Sequence, residues 1–224
     1  MSKQYLTLHT VDQAHPTEIF SLAPTSNTLI SASGSSHLLI HSTTTSPTFP
    51  LTQTLSNAHR LGCHHVTTAR SSGPGNTFVS VGFGGETKVW HRNPESDQWS
   101  LYWTLPTPEN KKEKGDVWAV ALSADEGYLA ATTSDGRIHV WDLVGKEKIQ
   151  SYETGASAGG GGGGGGGQES VGTGSFAMAV DLSRDGKFTA SGHENGGVYV
   201  FNNDAGRMVY SLSGRFPPGC GRWL

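Results

Sequence analysis

The 224-residue chain has only two cysteines, Cys63 and Cys220, and they stand apart from each other. That excludes a disulfide framework and a zinc cluster of the usual spacing, and it fits a reducing, intracellular compartment. Charge is also scarce. Sixteen basic against nineteen acidic side chains leave a formal net charge of −3. No strong electrostatic case for nucleic acid or an anionic membrane follows from that balance. No apolar stretch approaches the ~20 residues a membrane span needs. The N-terminus, Met1-Ser2-Lys3-Gln4-Tyr5-Leu6, lacks an apolar core of signal-peptide length. No segment carries the 3.6-residue period of an amphipathic helix. Hydrophobic residues make up 34%, and 31 glycines account for much of the shortfall. Such a composition suits a turn-rich all-β chain.

What is present is repetition. The segment Val117 to Asp142 reads strand, turn, strand, tight turn, strand, and ends on Trp141-Asp142. Three further copies align on Trp141 at His41, Trp90 and Phe201. The steps between these positions are 49, 51 and 60 residues, and the last contains the nine glycines Gly159 to Gly167. Without them the third step is 51, so the glycine run reads as an insertion into a regular spacing.

Each copy alternates apolar and polar residues over short runs rich in Val, Ile, Leu, Thr and aromatics, the pattern of half-buried strands. Asp125-Glu126-Gly127, Asp135-Gly136, Arg184-Asp185-Gly186 and Asn195-Gly196-Gly197 punctuate them. Asn, Asp and Gly tolerate the positive φ of tight turns. A fourth strand follows each third one, at Leu51–Leu55, Trp99–Trp103, Lys148–Tyr152 and Met208–Leu212. Four strands per unit with a Trp-Asp signature predict the blades of a WD-repeat β-propeller. The predicted blades are 15–56, 59–104, 115–153 and 175–214. A glycine-rich inter-blade loop occupies 155–174, and the propeller region as a whole is 1–214.

Signals that resemble chemistry do not converge. Gly155-Ala156-Ser157-Ala158-Gly159 matches the nucleophile-elbow pattern, but nine glycines follow where the elbow needs a helix. Cys63-His64-His65 could suggest a metal, yet neighbouring strand residues point to opposite faces and no second cluster supports them. Gly82-Phe83-Gly84-Gly85 and Gly172-Thr173-Gly174 lead into no helix that could cradle phosphate. The basic cluster Lys111-Lys112-Glu113-Lys114 reads as a solvated inter-blade loop. No catalytic, cofactor or metal residue emerges, so the expected class is non-enzymatic.

Ala14 to Leu22, Ser31 to Ser36, Leu61 to His65, Ser80 to Trp90, Gly115 to Val120 and Ser191 to Gly196 together resemble the fungal WD-repeat subunit of the superkiller (Ski) complex, whose members also act in meiotic recombination. The resemblance runs from residue 4 to about 213. It implies a seven-bladed scaffold that joins a tetratricopeptide-repeat scaffold protein and an RNA helicase in exosome-dependent 3′-to-5′ decay of messenger RNA. It also implies a meiotic break-forming partner and a cytoplasmic and nuclear location. The alternative is a WD-repeat adaptor of another assembly, such as a transcription-elongation or ubiquitin-ligase complex. In such proteins a histidine before the first strand hydrogen-bonds within the blade, so His15 and His59 are expected to be structural. Trp90, Trp141 and the turn aspartate Asp135 join them. At the place of that aspartate the other copies carry Ser35, Gly84 and Asn195, and the third lacks the histidine.

Partners of propellers dock on a loop-rich rim. The positions entering each first strand are Phe20, His64, Trp118 and Met178, and Phe83 and His193 stand beside the loops between second and third strands. Alternation turns the entry positions away from an inward neighbour. Large apolar side chains there are what protein-binding hot spots use. By this geometry Phe20, Phe83, Trp118, Met178 and His193 are the expected partner contacts. Packing between neighbouring blades is the competing reading.

After Ser213-Gly214 the repeat ceases, and Arg215 to Leu224, with two prolines and two glycines, cannot begin a strand of a next blade. At the usual repeat length, on the order of 130 residues, or about three blades, are expected beyond this point. Tyr5-Leu6-Thr7-Leu8 reads as a lone outer strand that would close the ring. The expectation is four blades of seven, an open arc from a shortened product or gene model.

Overall fold

The computed structural model describes residues 7, 9–45, 48–69, 75–106, 116–154 and 175–213. Among these residues there is no helix, and hence none long and apolar enough to cross a membrane. The structure is all-β, built of four antiparallel four-stranded sheets that match the four blades expected from the repeats. The chain divides into two compact units, Met1–Thr104 and Leu105–Leu224. The expected closing strand at Tyr5–Leu8, the glycine run and the tail from 215 lie outside the described residues.

The first unit contains two sheets. One is β1 (Ile19–Pro24), β2 (Thr28–Ser33), β3 (Leu38–Ser42) and β4 (Leu51–Leu55). The other is β5 (Cys63–Thr68), β6 (Thr77–Gly82), β7 (Thr87–Arg92) and β8 (Trp99–Thr104). The second unit contains β9 (Val117–Leu122), β10 (Tyr128–Thr133), β11 (Arg137–Asp142) and β12 (Glu147–Glu153). Its last sheet is β13 (Ala177–Leu182), β14 (Phe188–His193), β15 (Gly197–Asn202) and β16 (Arg207–Ser213). In every sheet the strands pair in sequence order, as chained hairpins require.

The turns follow from short polar side chains that take over backbone bonding. At the β9–β10 turn the Ser123 hydroxyl donates to Asp125 Oδ1 at 2.5 Å, and Gly127 N–H donates to the same oxygen at 3.1 Å. Ser183 and Asp185 repeat the device between β13 and β14, at 2.8 Å.

The core lies between the two sheets of each unit. In the first, Ile30, Leu38 and Ile40 meet Val66, Phe78, Trp90 and Trp99. Phe78 is fully buried and stacks edge-on to Trp99, with centroids 4.9 Å apart. Burying one such ring stabilises the fold by about 1.5–3 kcal/mol. In the second unit Ala130, Ile138, Val140 and Tyr152 meet Phe201, and Tyr152 stacks on Phe201 at 4.2 Å. A glutamine on the fourth strand sews each pair of sheets together. Gln53 exchanges two hydrogen bonds with the Trp99 backbone, both 2.8 Å, and Gln150 Nε2 donates to Asn203 O at 3.0 Å.

Register breaks recur at two places in every blade. The first strand skips one residue in its pairing: Phe20, His64, Trp118 and Met178. The fourth strand skips Thr52, Tyr102, Ile149 and Val209, opposite the His41, Trp90, Trp141 and Phe201 positions. A β-bulge bends its strand and re-aims the extra side chain. The repeat is thus defined by two bulges per blade as much as by its aromatic ending.

Candidate protein-interaction surface

The first-strand bulge governs where the entry residues go. Simple alternation would make each one the outward member of a pair whose inner member is Ile19, Cys63, Val117 or Ala177. Cys63 and Ala177 are buried, but Ile19 is 48% exposed, so alternation alone does not hold. The extra residue takes no place in the ladder, and the bulge re-aims its side chain. Phe20, Trp118 and Met178 stand 51%, 40% and 48% exposed, which is high for large apolar groups.

These side chains form two clusters, one in each unit. In the first, Phe20 meets Phe83 edge-to-face at 5.1 Å, and His64 lies 5.2 Å from Phe83. Phe83 sits on the β6–β7 turn, is 43% exposed, and donates its N–H to Gly62 O at 3.1 Å. Leu61 beside it is 64% exposed. In the second unit Trp118 meets Phe176 edge-to-face at 5.1 Å, and Met178 lies on the same bulge of the next blade. Each cluster joins residues from two consecutive blades. Phe176 and Leu61 were absent from the sequence-based set, because both precede a first strand and belong to no repeat position.

His193 departs from expectation. It is only 6% exposed and so is not a surface contact. Its Nε2 hydrogen-bonds the Ser191 hydroxyl at 3.0 Å and its Nδ1 pairs with Ser175 O at 2.8 Å. Burial lowers its pKa. The reason is positional. Ser31, Ser80 and Ser191 occupy the same place in the second strands, and each bonds a histidine. In blade one that partner is His15, whose Nε2 lies 2.8 Å from Ser31 and whose Nδ1 lies 2.8 Å from Ser33. In blade two it is His59, 2.7 Å from Ser80, and Trp90 Nε1 donates to the same hydroxyl at 2.8 Å. Blade four supplies the histidine from its own second strand.

Asp135 accepts from the Thr133 hydroxyl at 2.5 Å and from Arg137 at 2.8 Å, so it closes the β10–β11 turn without a histidine. Arg137 also reaches Glu153 at 3.1 Å. Trp141 is buried at the end of β11, with Lys148 Nζ 5.8 Å over its ring.

Ser80, His59 and Glu86 stand in the order of a nucleophile, base and acid, with His59 Nδ1 3.4 Å from Glu86 Oε2. They cannot act as one. Ser80 is wholly buried, His59 is 1% exposed, and the serine oxygen already accepts from Trp90. No substrate carbonyl could approach it. Burial drives the His59 pKa down to about 4, against the opposing pull of Glu86. Cys63 is likewise inert. Burial pushes its thiol up to about 12, and it donates to His65 O at 3.3 Å. Among the described residues no three His, Cys, Asp or Glu side chains gather to hold a metal. The Gly155-Ala156-Ser157-Ala158-Gly159 motif lies outside the described residues.

Residues 103–142 match the model of the WD domain, G-beta repeat family. Over 218 residues the chain is 31% identical to the meiotic recombination protein rec14 of Schizosaccharomyces pombe (strain 972 / ATCC 24843), covering 97% of this chain and 63% of that protein. The chain therefore spans just under two thirds of the length of the curated relative it matches. One repeat of the chain thus matches the WD-repeat model, and nearly all of the chain is similar to a protein named for meiotic recombination.

Proposed function

We propose that the chain is a non-enzymatic protein-interaction scaffold that captures partners on its two bulge-presented apolar clusters. The observation that carries this is the repeated first-strand bulge, which leaves Phe20, Trp118 and Met178 about half exposed. Exposed aromatics and methionine at a rigid sheet entry are the chemistry of interface anchors.

Two assemblies fit. The residues that resemble the superkiller subunit point to a tetratricopeptide-repeat scaffold and an RNA helicase as partners, in cytoplasmic exosome-dependent decay. The relationship to a protein named for meiotic recombination supports a nuclear role with a break-forming partner. Tagged chain is purified from native extract of vegetative and meiotic cells, and co-purifying proteins are identified by mass spectrometry. Recovery of a helicase and a tetratricopeptide protein supports the first. A meiosis-limited partner supports the second. A cullin or elongation factors instead would replace both with an adaptor of another complex. Loss of the recovered partner from F20A and W118A chains ties it to the clusters. Unchanged recovery refutes the proposed surface.

A further inference from the structure

Phe83 sits on a glycine-rich turn. Its turn, Gly82-Phe83-Gly84-Gly85-Glu86, contains three glycines, each of which widens the conformations open to the backbone. Its ring centroid lies 5.1 Å from that of Phe20 and 5.2 Å from that of His64, and it is 43% exposed. In blade three the matching turn is braced internally by Asp135, bound to Thr133 and Arg137. Blade two has Gly84 at that place and lacks the brace.

An acid is nevertheless present two residues later. Glu86 Oε1 lies 3.2 Å from Lys88 Nζ, and Glu86 Oε2 lies 3.4 Å from His59 Nδ1. The second contact makes no hydrogen bond, and with its pKa at about 4 His59 is neutral at pH 7, so the charged partner of Glu86 is Lys88. Lys88 Nζ also donates to Ala58 O at 2.6 Å. Glu86 thus links the 58–62 segment to β7. Its own carbonyl accepts from Gly82 N–H at 2.9 Å, which closes the turn. The imidazole of His59 fills the space under Gly82 so tightly that a Cβ there would fall 2.6 Å from Nδ1. The same 58–62 segment supplies Gly62 O to the Phe83 N–H.

We propose that Glu86 is the positioning residue of the first cluster: its carboxylate, set between His59 and Lys88, holds the β6–β7 turn so that Phe83 meets Phe20 and His64. This rests on the reading that the cluster docks a partner. Glu86 acts on the rings through the turn.

The test uses the full chain labelled with 4-fluorophenylalanine, with the Phe20 and Phe83 fluorine signals assigned from F20L and F83L. In E86Q, which keeps the size and removes the charge, the Phe83 and Phe20 signals shift toward the solvent-exposed position. Their mutual cross-relaxation disappears, while the core signals of Phe78 and Phe201 stay in place. E86D, which keeps the charge, retains most of the parent pattern. An unmoved Phe83 signal in E86Q overturns the proposal. So does a Phe78 signal that moves with it, since Glu86 would then serve the core and not the turn. A separate arm measures partner recovery with F83A, expected to fall by at least about tenfold. If recovery is unchanged in F83A, the docking reading fails whatever Glu86 does. If it falls in F83A but not in E86Q, the positioning role alone fails.

Discussion

Lowering the pH should weaken the first unit, with His59 the deepest contributor beside His15 and His41, whose pKa values burial also lowers. His59 titrates near 6.5 when exposed in the unfolded chain and near 4 when folded, because burial opposes its charge. Glu86 pulls in the other direction, while Lys88 and His64 add to the lowering. A base with a depressed folded pKa contributes fully above the unfolded value. The contribution is lost as pH falls through the window from about 6.5 to about 4. The gap of about 2.5 units, at about 1.4 kcal/mol per unit, amounts to about 3 kcal/mol across that window. By pH 5 about 2 kcal/mol of it is gone. The assay is urea unfolding at pH 7, 6 and 5, followed by intrinsic fluorescence, which the buried Trp90 and Trp99 report. His59→Gln should cost about 1–3 kcal/mol at pH 7, since Ser80 and Trp90 lose part of their network. It should also flatten the pH response by about 2 kcal/mol relative to the parent. If parent and H59Q lose the same stability between pH 7 and 5, His59 is not the group being titrated and the reasoning fails.

Further expectations concern packing, backbone and thiol. Tyr152→Ala should destabilise the second unit by about 3–5 kcal/mol, read by chemical denaturation, because it removes the ring stacked on Phe201. Gly62→Ala should cost at least about 1–3 kcal/mol in thermal or urea melts. Gly62 has φ +88, and a Cβ there would fall 2.3 Å from Gly34 O. Phe20→Ala should leave stability within about 0.5 kcal/mol of the parent while partner recovery drops, since the ring is half exposed. Cys63 should resist a thiol-reactive dye at pH 8 in the folded chain and react on unfolding, as its buried thiol stays protonated.

Much of the architecture was legible because each blade is assembled from local signals. The turns at Asp125-Glu126-Gly127 and Arg184-Asp185-Gly186 announce themselves by residues that bond their own backbone. Period-two runs then locate the strands between them, and the sheets fall where the four aligned copies predict. The bulges were not legible. An extra residue in one strand changes which positions pair, and only the partner strand reveals it; alternation counted along one strand cannot. His193 was misplaced for a related reason. Its turn-side position reads as surface, but blade four has Ser191 needing a histidine, and His193 folds inward to meet it. Glu86 escaped notice because the turn aspartate was sought at Gly84, whereas its carboxylate reaches His59 from two residues further on.

By itself, then, the sequence determined the repeat, the strand order and the identity of the apolar side chains near the blade entries, since these depend on hydrogen bonds and periodicities spanning a few residues. Tertiary structure decided which of those side chains face solvent and which are consumed inside a blade. That choice depends on cross-strand register and on contacts between consecutive blades, such as Phe20 with Phe83 and Trp118 with Phe176, whose partners lie some sixty residues apart in the chain.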